Sequence, residues 1–158
     1  MRTEPIPLIV RRVIAAPRDR LFEAFGSADA LSRWFTPSAD VSLDVMAFDF
    51  AAGGRFRFRY VMPDGRRPVV GGIYEMIEPS TRIICSWIWE APDPLADVPM
   101  RVHFEFSEHD GKTEVTITHQ GIPSDQACSI HEDGWDGALN SLERYFSRAD
   151  HERTSSWT

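Results

Sequence analysis

From Val41 to Gln120 hydrophobic side chains recur at every second position, and the breaks between runs are turn-forming residues rather than helical stretches. The clearest run is Arg55 to Tyr60, with Arg55, Arg57 and Arg59 on one face and Phe56, Phe58 and Tyr60 on the other. Val41, Leu43 and Val45 alternate before it, and Phe48 and Phe50 continue less cleanly to Gly53-Gly54. Pro63-Asp64-Gly65 leads into Val69 to Ile77, and Glu78-Pro79-Ser80 into Arg82 to Glu90. A loop with Pro92, Pro94 and Pro99 precedes Met100 to Ser107, and Asp110-Gly111 turns the chain into Thr113 to Gln120. Strands joined this closely have no room for crossover helices, so the sheet is antiparallel.

The flanks have a different period. Pro7 to Ala15 reads as a strand that ends at Ala16-Pro17, and Pro17 suits the first position of a helix carrying Leu21, Phe22 and Phe25. Ser27 reads as the N-cap of a second short helix with Ala28, Leu31, Trp34 and Phe35, stopped by Pro37. Beyond Gly121-Ile122-Pro123, Ser124 reads as the cap of a final helix of about six turns, whose stripe is Trp135, Ala138, Leu139, Leu142 and Phe146. One strand, two short helices, six strands and a long helix close into one core only if the sheet curves around that helix.

The 158 residues suit one domain, and 42% hydrophobic with 26% charged residues argues against wholesale disorder. Lys and Arg number 17 against 24 Asp and Glu, a net charge of −7, which excludes nucleic acid as the expected main partner. The two cysteines, Cys85 and Cys128, make no disulfide framework and suit a reducing, cytoplasmic setting. No apolar run approaches the ~18 residues of a membrane span, and Met1 to Pro5 lacks a signal-peptide core.

The order of elements, with its motifs, resembles the START-like (SRPBCC, helix-grip) superfamily, and within it the activator of heat-shock-protein ATPase homologue family. The stretches that carry the resemblance are Arg12 to Pro17, Trp34-Phe35-Thr36-Pro37, Gly53 to Phe58, Gly72 to Pro79, Ser86-Trp87, Thr116 to His119 and His131 to Trp135. It implies an α+β fold in which a curved seven-stranded antiparallel sheet grips a long C-terminal helix. On this reading residues 1–150 form a single START-like domain and 151–158 a polar tail. Ligand carriers, cyclases, sensors and co-chaperones share the superfamily, so the fold alone selects no activity. Co-chaperones of the family carry a larger N-terminal domain as well, and here the START-like domain begins almost at Met1.

A curved sheet around a helix encloses space, and aromatic walls are what an apolar ligand site is built from. The expected wall comprises Phe56, Phe58, Tyr60, Trp87, Trp89 and Phe104 from alternate strand positions and Trp135 from the final helix. His119 shares inward parity with Val115 and Ile117, and His131 lies four residues before Trp135, so both are expected at a polar end. The same residues also read as plain core and two hydrogen-bonded structural histidines. Cys128, His131 and His119 lack a further ligand for a metal, and no cofactor is expected. No G-x-S-x-G, H-E-x-x-H, P-loop or dinucleotide fingerprint occurs. The expectation is a non-catalytic binder of a small hydrophobic or amphipathic molecule. The alternatives are a co-chaperone-like interaction domain and a small cyclase or hydrolase.

Ile83, Cys85, Trp87 and Trp89 occupy one parity of their strand, while Ile84, Ser86 and Ile88 occupy the other, so both faces are largely apolar. Either the loop from Ala91 to Pro99 covers the outer residues, or a second copy does in a homodimer.

Overall fold

The computed structural model describes residues 6–155. In chain order its elements are β1 (Leu8–Ile14), α1 (Arg18–Phe25), α2 (Ala28–Trp34), β2 (Ser42–Phe48), β3 (Arg55–Val61), β4 (Val69–Glu78), β5 (Arg82–Trp89), β6 (Met100–His109), β7 (Lys112–Gln120) and α3 (Asp125–Ser155). The strands form one seven-stranded sheet, ordered β1-β7-β6-β5-β4-β3-β2. Every neighbouring pair is antiparallel. The sheet curls into a half-barrel around α3, and register shifts at Val45/Ala47 in β2 and Tyr74/Met76 in β4 supply local bends.

Local chemistry accounts for the corners. Gly65 and Gly111 take positive φ, as their hairpin turns require. The Ala30 N–H donates to Ser27 Oγ at 3.2 Å, and the Ala127 N–H to Ser124 Oγ at 3.1 Å, so both expected caps are formed. Pro17 is the N-cap residue of α1, one position before the helical start expected for it. Leu139 and Leu142 of α3 are fully buried against the concave face. Arg12 of β1 donates from Nη1 to Asn140 Oδ1 at 2.7 Å and Glu143 Oε1 at 2.9 Å, pinning the first strand to α3.

The structure changes several sequence expectations. Helix α3 runs 31 residues, about 8–9 turns rather than six, because no breaker interrupts it before Ser155. Part of the segment read as a tail is therefore helical, and 156–158 lie outside the described residues. Ile84 and Ile88, for which the sequence calls for a cover, are half-buried within the chain, and Ile73 and Met76 of the neighbouring strand are exposed.

Gly134, at the flank of the apolar stripe, reads from the sequence as the place of close backbone approach or a bend. In fact a Cβ there would meet nothing within 4 Å, whereas a Cβ on Gly137 would collide with the Pro37 carbonyl oxygen. The connection after α2 crosses α3 at half-buried Gly137, one turn before buried Ser141. Gly134→Ala is therefore expected to raise stability by about 1 kcal/mol through helix propensity. Gly137→Ala is expected to lower it, because Pro37 must move, and paired thermal melts read both signs.

Candidate functional site

The sheet's inward parity and the two short helices converge on a cluster of aromatic rings. Phe25 of α1 packs against Phe104 and Phe106, with both pairs of ring centroids 5.1 Å apart. Phe35, the C-cap residue of α2, stands 5.7 Å from Phe58, 6.3 Å from Trp87 and 5.9 Å from Trp135. Phe56 lies 4.9 Å from Phe58, 5.2 Å from Tyr74 and 6.2 Å from Trp87. Among them Phe25, Phe35, Phe56, Phe58, Tyr74, Trp87 and Phe104 line a cavity of about 20 Å³, room for one water at roughly 10–15 Å³ each.

Of the residues expected to form the wall, Phe56, Phe58, Trp87 and Phe104 line that cavity. Tyr60, Trp89, Trp135, His119 and His131 are not among its lining residues. Its other walls are Phe25, Leu31, Phe35, Tyr74, Ile83 and Cys85, none of them among the wall residues expected from the sequence. Tyr74 and Cys85 were accessible to the parity argument, since they face each other across the β4–β5 ladder. Burial pushes the Cys85 thiol and the Tyr74 and Tyr60 phenols well up from their ordinary values, so all three stay protonated.

Beside the cavity sits a polar pole. The Trp135 indole N–H donates to His119 Nδ1 at 3.0 Å, and the Trp89 indole N–H donates to His131 Nε2 at 3.1 Å. His131 Nδ1–H donates in turn to the Ala127 carbonyl at 2.8 Å. These bonds assign the tautomers: Nδ1 accepts in His119, so its proton is on Nε2, while His131 carries its own on Nδ1. The two imidazoles meet edge to face with centroids 4.7 Å apart.

Burial, and secondarily the neighbouring His131, depresses the His119 pKa to about 3. Burial also lowers that of His131, opposed by its bond to Ala127 and by the nearby Asp93 carboxylate. Both rings are therefore neutral acceptors for indoles rather than cations, and none of their hydrogen bonds runs to a hydroxyl, thiol or carboxylate.

Two donors at this pole are unused. His119 Nε2 and Trp87 Nε1 are buried and have no hydrogen-bond partner. The rings stand 6.1 Å apart at 74°. Among the described tryptophans the other indoles are all satisfied, Trp34 by the Ala24 carbonyl at 2.9 Å. An unmet buried donor costs about 1–3 kcal/mol, so two on neighbouring rings favour an acceptor between them.

The pole reaches the surface beside Trp89, which is half-buried. Leu95 and Val98 of the loop after β5 pack onto the core, and the Asp97 N–H donates to the Trp89 carbonyl at 3.1 Å. That loop therefore packs beside Trp89 and His131 at the rim of the interior. The row Arg55, Arg57 and Arg59 faces outward, where Arg57 grips Glu90 through two bonds of 2.7 and 2.8 Å and Arg59 pairs with Asp44 at 2.8 Å. Among the described residues no cluster of three or more His, Cys, Asp or Glu forms a metal site, and no helix is long and apolar enough to cross a membrane.

The fold matches solved structures of low sequence identity. A protein from Silicibacter pomeroyi described as AHSA1 superposes with a TM-score of 0.80 at 21% identity, covering 90% of this chain and 99% of that one. One from Chromobacterium violaceum gives 0.78 at 23%, covering 89% and 96%. One from Arthrobacter aurescens gives 0.80 at 15%, covering 90% and 87%. No curated protein matches the chain. The sequence model of the family described as "Activator of Hsp90 ATPase homolog 1-like protein" matches residues 15–147, from the end of β1 to the buried part of α3. The match takes in the aromatic interior, both histidines and the loop beside Trp89, and the chain accordingly belongs to that family within the START-like superfamily.

Proposed function

We propose that the protein binds a small apolar or amphipathic molecule between sheet and helix, without catalysing a reaction on it. The observation that carries this reading is the pair of unmet buried donors set against an aromatic interior. Each is a donor without a partner in an apolar setting, which an acceptor on a bound molecule would satisfy. A ligand of ordinary size needs about 300 Å³ or more, and the present cavity holds about 20 Å³. Binding on this reading therefore opens the interior, with Trp89 and the loop from Ala91 to Pro99 moving away from the rim. Neutral, indole-bound histidines and protonated Cys85 suit holding a molecule rather than attacking it.

Naphthalene, titrated while tryptophan emission is followed, is the direct test. The expected result is saturable quenching, with a melting-temperature rise of a few degrees at tenfold excess over Kd, from about 1.4 kcal/mol of linkage. No saturable change up to the solubility limit, with naphthalene or with its carbonyl-bearing counterpart 2-acetylnaphthalene, overturns the reading.

A second reading places function on the outer face. Met76 lies opposite Ile84 in the β4–β5 ladder, and Ile88 is opposite Gly71, next to exposed Ile73. This apolar row is suited to a second copy of the chain, and sedimentation at micromolar concentration distinguishes dimer from monomer.

A further inference from the structure

The polar pole has a hydrogen-bonding character more specific than polarity. His119 Nε2–H and Trp87 Nε1–H are both donors, both buried and both unmet. The nearest imidazole acceptors are taken, His119 Nδ1 by Trp135 and His131 Nε2 by Trp89. A water placed here satisfies the two donors but leaves its own two protons without those acceptors, and an alcohol leaves one. A carboxylate meets no compensating cation, since both imidazoles are neutral and Arg57 and Arg59 are paired on the outer face. An oxygen that accepts and does not donate satisfies the site fully.

We propose that Trp87 and His119 form a recognition site for a neutral carbonyl oxygen, so that the ligand is a small apolar ketone, aldehyde or ester rather than a hydrocarbon, alcohol or acid. This rests on the reading of an internal ligand and specifies its chemistry. Trp87 lines the cavity, so its ring sits against the ligand's apolar body while its N–H reaches the oxygen. Trp135 and His131 hold His119 in place: Trp135 fixes the tautomer that donates, and His131 packs against its ring.

The test compares acetophenone with ethylbenzene, which share a phenyl ring and similar size and differ in the carbonyl. Indole and imidazole N–H resonances are followed by ¹⁵N-resolved NMR during both titrations. The expected result is about tenfold tighter binding of acetophenone, the effect of two neutral hydrogen bonds partly offset by desolvation. The Trp87 Nε1–H and His119 Nε2–H signals are expected to move downfield with acetophenone. Those of Trp89 and Trp135, already bonded, are expected to move less. Trp87→Phe is expected to weaken acetophenone binding more than ethylbenzene binding, so that the ratio of the two affinities falls. Should that variant not fold, the wild-type shifts carry the test alone.

Equal affinity for the two probes, with Trp87 and His119 signals unmoved at saturation, overturns the carbonyl site and leaves internal binding standing. Failure of both probes to bind overturns the internal-ligand reading and the carbonyl site with it. Tighter binding of 1-phenylethanol than of acetophenone also overturns the carbonyl assignment, because it requires an acceptor at the site.

Discussion

Between pH 7.5 and pH 5 the folded protein is expected to lose about 2 kcal/mol of stability through His119 alone. In the unfolded chain this imidazole titrates near its ordinary value of about 6.5. In the folded protein burial holds it neutral down to about 3. Between those two values the unfolded state binds one more proton than the folded state, so stability falls as pH falls. The slope approaches about 1.4 kcal/mol per pH unit below 6.5. The contribution is intact above the unfolded value, and the loss ends once pH passes below the folded one. His131, also lowered by burial, acts in the same direction.

Urea denaturation across pH 5 to 8 measures this slope, and the range stops where carboxylates begin to intrude. Glu90, held low by Arg57, loses its contribution only below the ordinary carboxylate range. His119→Asn is the control, because its amide oxygen can still accept from Trp135 and it does not titrate. It is expected to be less stable at pH 8, having lost a buried ring, yet to show a slope shallower by one proton. An unchanged slope in the variant would mean that His119 is protonated in the folded state, contradicting its acceptor role toward Trp135.

The strands were readable because each turn carries its own chemistry and Arg55 to Tyr60 separates outward from inward residues without ambiguity. Parity likewise turned His119 inward, and helical spacing placed His131 and Trp135 on the buried face of α3. Contacts between elements distant in sequence were not readable. The pairing of Trp135 with His119 and of Trp89 with His131 depends on how α3 is rotated in the sheet, which no local period reports. Gly137 was opaque for the same reason, since Pro37 reaches it only through the packing of α2 on α3. Phe25 and Phe35 read as the stripes of two short helices. They line the cavity because α1 packs on β6 while α2 packs on β2 and α3. The volume left among the rings was the least legible quantity, because alternating aromatics describe a filled core and an open pocket equally well.

Phe35→Ala separates those two descriptions and carries a large expected effect. Phe35 is 4% exposed and touches rings from three directions: Phe58 of β3, Trp87 of β5 and Trp135 of α3. Removing its ring deletes apolar burial and leaves a void continuous with the existing cavity, which Phe35 lines. Large-to-small changes of this kind cost about 3–5 kcal/mol when the surroundings hold their shape and less when they collapse. A rigid, well-packed interior is therefore expected to show the full loss in urea, and the enlarged apolar void, dry by its lining, to bind benzene. Benzene is then expected to restore part of the lost melting temperature in the variant, and to do far less for the wild type. An interior whose rings move aside readily, as the proposed opening requires, is expected to collapse onto the gap instead. The loss then falls nearer 2 kcal/mol, and benzene stabilises both proteins alike. The first outcome counts against ligand entry through ring movement, and the second supports it.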